Sequence, residues 1–198
     1  MKKLTNYKLN KISKNLDFVF NLANEQEIKN GLNWYVNANN ICKDISEKYT
    51  VSTFKAAGVI SALSPRNKWD QNIKDAYKVF EAVKDGLSPE QIKVCTFNKN
   101  KFKAFAVAQG KVTINEGSKK TYNFVQNVGN LSNDHLTVDI WHLRACFLKS
   151  IKIDSASIGR IAYEQIKTLT IKKANKLGLK GYELQAILWV TMQRVYTY

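Results

Sequence analysis

Residues 52–63, Ser-Thr-Phe-Lys-Ala-Ala-Gly-Val-Ile-Ser-Ala-Leu, constrain this chain more than any other stretch. On a helix, Phe54, Ala57, Gly58, Val59, Ile60 and Leu63 cover most of the circumference, so the segment belongs at the centre of a core. Ser52 can cap its start, and Ser64-Pro65 stops it. The rest of the chain reads as helices with one apolar side. Asn24, followed three residues later by Glu27, opens a helix to about Lys48 that buries Ile28, Leu32, Tyr35, Val36, Asn39 and Cys42, with Gly31 weakening its first half. After Arg66-Asn67-Lys68, one face carries Trp69, Ile73, Ala76, Tyr77, Phe80 and Val83 as far as Asp85-Gly86. Ser88-Pro89-Glu90-Gln91 starts a short helix, and Asn98 starts another ending near Gly110. Val112-Thr113-Ile114 is too short for a sheet and reads as an extended link or half a hairpin. Asp154-Ser155 caps a helix to about Gly178, and Leu184, Ile187, Leu188, Thr191, Met192 and Val195 stripe the last one. β-alternation is scarce, so the fold class is all-α.

No Pro/Gly/Ser-rich linker interrupts the 198 residues, so one compact domain is expected. Its helical lobes would fall at approximately 25–110 and 111–198, preceded by a basic segment 1–24. Leu9, Ile12, Leu16 and Val19 give that segment roughly helical spacing, as a helix or arm that touches DNA or packs loosely. The 31 Lys and Arg against 16 Asp and Glu leave a net charge of +15, and the excess is clustered. Residues 2–14 hold five lysines and no acid, 99–120 six lysines and Glu116, and 149–180 eight basic residues with Asp154 and Glu164. Such a field attracts phosphate backbones. An anionic surface, a solvated exterior or the Lys and Asn richness of a low-GC genome are the plainer readings. Cys42, Cys95 and Cys146 form neither a disulfide framework nor a metal-binding spacing and are expected to be buried thiols. With no apolar run near the ~20 residues of a membrane span and no signal-peptide pattern, a cytoplasmic monomer without membrane contact, metal or cofactor is expected.

The candidate chemistry lies between Gly117 and Cys146. Gly117, Lys120 and Thr121 precede an apolar helix with Phe124, Val125 and Asn127; Val138 and Asp139 then open another helix, with Arg144 five residues later. Upstream, Ile60-Ser61-Ala62-Leu63-Ser64 is followed by Trp69, Asn72 and Ala76. These motifs, covering about half the chain, resemble the helix-hairpin-helix DNA glycosylases. The 19 residues from Lys120 to Asp139 are about the family's separation. Two departures stand out. The hairpin Thr113–Gly117 has one glycine where the family has a Gly-x-Gly pair, and His142 stands one place after the family's Asp-x-His position. In addition, Trp34-Tyr35, Leu63-Ser64-Pro65, Trp69 and Leu184–Trp189 resemble phage-encoded relatives.

The resemblance implies a two-lobed helical fold that flips a damaged or modified base out of double-stranded DNA into a cleft. Base loss builds positive charge on the sugar, and Asp139 is the carboxylate that would stabilise it. The plainer reading of Asp139 is an ordinary helix cap. Lys120 is either a Schiff-base nucleophile with associated strand cleavage, a phosphate ligand beside water as nucleophile, or a solvated lysine. Expected DNA or substrate contacts are Ser64, Arg66, Lys68, Trp69 and Asn72 on one side, and Gly117, Ser118, Lys119, Thr121, Trp141, His142 and Arg144 on the other. Trp34 and Tyr35 are further aromatic candidates, although each aromatic taken singly also reads as core. Two rival functions remain open: a phage-type base-hypermodifying enzyme with a glycosylase-like fold, and a non-catalytic DNA-binding module.

Overall fold

The computed structural model describes residues 3–65, 67–148 and 158–197. Among them are nine α-helices, one 3-10 turn and no strand: α1 Asn6–Asn21, α2 Glu25–Tyr49, α3 Thr53–Leu63, α4 Trp69–Lys84, the turn Pro89–Gln91, α5 Asn98–Ala108, α6 Lys119–Asn130, α7 Ile140–Phe147, α8 Arg160–Lys176 and α9 Gly181–Thr197. The protein is all-α, as its periodicity requires. The expected cap at Asp154-Ser155 lies outside the described residues; α8 begins after Gly159, which supplies no side-chain cap. The chain divides into two compact units, Ala38–Asn130 on the one hand and Met1–Asn37 with Leu131–Tyr198 on the other. The expected boundary near residue 110 is therefore not where the division falls, because α6 packs on α3 within the first of these units.

In the unit Ala38–Asn130, α3 is buried at every residue from Ala56 to Leu63. Ser52 caps it as expected, its oxygen accepting the Lys55 N–H at 3.1 Å. Small residues set how closely its neighbours approach. A Cβ on Gly58 would lie 3.0 Å from Val107 on α5, and one on Gly129 of α6 would lie 3.3 Å from the Ala57 Cβ. Helix α4 is tied on by Asn72, whose Nδ2 donates to Ile60 O at 3.1 Å. The C-terminal carbonyls of α6 are satisfied by Asn39 Nδ2, which donates to Val128 O (2.8 Å) and Gly129 O (3.0 Å). The Val112–Ile114 link is irregular, with Ile114 buried.

In the other unit, Ile12, Leu16 and Val19 of α1 are fully buried among Leu143 and Cys146 of α7, Ile166 of α8 and Leu184 and Leu188 of α9. Each such side chain is worth about 1.5–3 kcal/mol, so α1 is a docked helix and the loosely packed arm is corrected. Thr5 caps it, and Asn15 Nδ2 donates to Cys146 O at 2.8 Å. Asn24 and Glu27 form the expected capping box, Asn24 Oδ1 accepting the Glu27 N–H and Glu27 Oε2 accepting the Asn24 N–H, each at 2.9 Å. Glu27 is also gripped by Arg194, whose Nε lies 2.6 Å from Oε1, and that bond holds its carboxyl below the usual range. Gly31 has a tertiary reason: a Cβ there would stand 2.5 Å from Ile187 Cγ1 and 2.6 Å from its Cα, so α2 and α9 meet backbone to backbone. Val36, expected inside, is 37% exposed.

Of the three thiols expected to be buried, Cys42 and Cys146 are, whereas Cys95 is exposed because the segment before α5 runs over the surface. Burial pushes the Cys42 thiol up to about 12 and raises that of Cys146 as well. Titration of native protein with a thiol-specific disulfide reagent should therefore count one fast-reacting thiol, lost in Cys95→Ser, and three after unfolding.

Candidate functional site

Asp139 ends a short extended run, Leu136-Thr137-Val138, in which all three residues are buried. Such a run needs partners for its backbone, and a buried tyrosine supplies them. Tyr163 Oη donates to Leu136 O and accepts the Val138 N–H, both at 3.1 Å. Tyr35 bonds the intervening Thr137 and donates to Gln185 Oε1 at 2.8 Å. The run is thereby pinned on both sides, and it presents Asp139 at the N-cap of α7. There the carboxylate accepts the His142 N–H at 2.8 Å and lies half-buried at the positive end of the helix. Its charge is felt at Tyr35, where burial and then Asp139 raise the phenol's pKa.

The other candidates in this unit divide by burial. Tyr35 is 2% exposed and bonded, so its expected contact with a flipped base is corrected. Trp34 is half-buried and meets Tyr35 and Trp189 edge-on, at 4.7 and 5.4 Å between ring centroids. Trp141 keeps one face under Arg144, whose guanidinium carbon lies 4.3 Å from the ring centroid and 5.0 Å from that of Tyr196. His142 is not a DNA contact. It is fully buried, with Nε2 3.0 Å from Thr170 Oγ1. Because that hydroxyl donates its own proton to Ile166 O at 2.9 Å, Nε2 must be the protonated nitrogen. Nδ1 is left bare without a partner, and burial lowers the imidazole to about 4.

In the unit Ala38–Asn130, Lys120 stands exposed on the first turn of α6. The preceding turn is set by Asn115, whose Oδ1 accepts the Gly117 N–H at 3.0 Å and whose O accepts the Ser118 N–H at 3.2 Å. Lys119 is half-buried, 3.9 Å from Glu116. One residue after Lys120, Thr121 O accepts from Ser61 Oγ at 3.3 Å, which ties this turn to the end of α3 and so to the Ser64–Asn72 loop. Both upstream and downstream motifs of this unit therefore meet around α3. Within the loop, Ser64 Oγ donates back to Ser61 O at 3.0 Å, Lys68 is exposed and Trp69 is half-buried; Arg66 lies outside the described residues. Asn72, expected to read a base edge, is instead buried and used up on Ile60 O, although its Oδ1 has no partner.

One residue escaped sequence reasoning. Asp75, fully buried on α4, accepts from Asn67 Nδ2 (3.0 Å), Gln71 Nε2 (2.9 Å) and the Cys95 N–H (2.8 Å). It fixes both the loop before α4 and the segment before α5. The available signal was an acid at i+3 from Asn72 on an otherwise apolar helix face.

A family described as "Family of unknown function (DUF7178)" matches residues 1–195. The chain belongs to that family. No curated protein and no solved structure matches this DUF7178 chain. Among its described residues no group of three or more His, Cys, Asp or Glu could hold a metal ion, and no helix is long and apolar enough to cross a membrane.

Removing the Asp75 carboxylate orphans three donors in a buried place, so Asp75→Ala should cost about 3 kcal/mol in denaturant unfolding. His142 gives a pH signature. Its folded pKa lies below the unfolded value of 6.5, so its stabilising contribution is complete above pH 6.5 and is lost as pH falls toward about 4. The difference in unfolding free energy between wild type and His142→Phe should shrink by roughly 3 kcal/mol across that window, and a pH-independent difference would contradict the buried neutral imidazole.

Proposed function

We propose that this protein acts on DNA as a base-excising glycosylase, with Asp139 as the carboxylate that meets the developing sugar cation. The observation that carries the reading is the mounting of Asp139: a half-buried carboxylate at a helix N-terminus, delivered by a run whose backbone the buried Tyr163 bonds and whose Thr137 side chain the buried Tyr35 meets. A group that must face a reacting centre gains from such rigidity, because preorganised charge needs no rearrangement during reaction. Support for DNA as partner comes from the clustered lysines and the net charge of +15. Support for the glycosylase type comes from the resemblance of Gly117–Thr121 and Val138–Arg144 to that family.

In this reading water attacks C1′ of the deoxyribose, Asp139 takes up the water proton and later returns it to solvent, and the base leaves with the electron pair of the glycosidic bond and takes a proton from solvent. Lys120, exposed at the first turn of α6, is assigned to a phosphate, since a Schiff-base amine needs its ammonium stripped of water. A second reading is favoured by the His142 N–H bond itself: Asp139 merely caps α7 in a DNA-binding protein without chemistry.

Asp139→Asn separates the two, because Asn caps as well as Asp but carries no charge. With DNA bearing a panel of altered bases, wild type should release at least one base. The variant should be slower by about 10²-fold or more, with unchanged melting temperature and DNA affinity. No base release by wild type, or equal rates, would leave the capping reading. Borohydride should trap no covalent adduct, and Lys120→Ala should lower the salt slope of duplex binding by about 0.9. A trapped adduct lost in Lys120→Ala would instead make the amine the nucleophile.

A further inference from the structure

The outer side of α1 has a composition that packing does not explain. Ile12, Leu16 and Val19 point inward. Tyr7, Lys11, Lys14 and Phe18 follow one another at i, i+4, i+7 and i+11, which places them in one lengthwise row on the opposite side. Tyr7 is 77% and Phe18 54% exposed, and both lysines between them are exposed. Lys8 flanks the row, and Leu22, 39% exposed, extends it past the helix end. The one acid of α1, Asp17, is taken by Lys173 of α8. Two aromatic rings thus stand more than half exposed, with two ammonium groups between them and outside the core cluster beneath.

We propose that this row is a binding face for single-stranded nucleic acid, with Tyr7 and Phe18 stacking unpaired bases and Lys11 and Lys14 meeting the phosphates between them. An unpaired strand alternates flat apolar bases with negative phosphates, and the row alternates in the same way. At about 1.5 Å per residue the two rings are roughly 16 Å apart along the helix, room for several nucleotides. A duplex does not fit this chemistry, because its bases are stacked on one another and offer no free face. A lipid surface fits less well, because a face meant to enter it carries its lysines at the edges, whereas here two stand in the middle. The inference shares only the nucleic-acid partner with the proposed function, and it stands even where Asp139 has no chemistry.

The test is fluorescence anisotropy of a labelled twelve-residue oligothymidylate with the full chain. Tyr7→Ala/Phe18→Ala should weaken binding at least ten-fold with the salt slope unchanged. Lys11→Gln/Lys14→Gln should lower the salt slope by about 1.4, the value for two single-strand phosphates. Equal affinity of wild type and the aromatic double variant overturns the proposal. So does co-sedimentation with phosphatidylserine vesicles that this variant loses while its oligothymidylate binding stays intact. Where the double variant does not fold, ultraviolet cross-linking of wild type to a bromodeoxyuridine twelve-mer decides: adducts at Tyr7 or Phe18 sustain the proposal, and adducts only elsewhere overturn it. Base release enters none of these readouts, so failure of the glycosylase reading and failure of this one are told apart.

Discussion

Burial of α3 from Ala56 to Leu63 is the constraint to which its whole unit answers. A stretch with no solvent side must be covered all round, and here α4, α5 and α6 each pack against α3. Cover at that distance works only where side chains are short, which is why Gly58 faces Val107 and Gly129 faces Ala57. Because α3 is central, its C-terminal end also organises the local chemistry. Ser61 reaches the turn that carries Lys120, Ser64 folds back on Ser61, and Asn72 returns to Ile60.

Polar groups placed inside both units act as locators. A buried acceptor or donor costs more unpaired than it gains when paired, so each one ties down the backbone that satisfies it. Asp75 does this for two loops, Tyr163 for the run leading to Asp139, and Asn39 for the last carbonyls of α6. The Glu27–Arg194 pair joins the start of α2 to the end of α9 in the same manner while also completing a helix cap.

Helix α1 illustrates how one segment carries two messages. Its inner residues, Ile12, Leu16 and Val19, are ordinary core. Its outer residues keep the lysines that made the segment read as basic, and beside them Tyr7 and Phe18, which that reading did not use. The same sixteen residues thus carry a core side and an exposed, basic side on one helix. The charge clusters elsewhere behave differently: Lys119 faces Glu116, Lys167 pairs with Glu164 and Lys173 with Asp17, so part of the positive field is neutralised locally.

By itself, the sequence determined the all-α class, the course of most helices and their caps at Ser52, Asn24 with Glu27, and Asp139, because those signals act within one turn of a helix. It also marked Asp139 and the Gly117–Thr121 turn as the places to look. What only the tertiary structure decided was which polar side chains went inside. His142, Asn72 and Asp75 each sit on a helix in a position compatible with either solvent or core, and their burial depends on partners 28, 12 and up to 20 residues away. Gly31 weakens its helix taken alone but lets Ile187 stand against it, and Cys95, apolar by type, lies on a surface segment. Local pattern reports the shape of a helix and its apolar side, whereas long-range packing alone selects the neighbour that a given side chain meets.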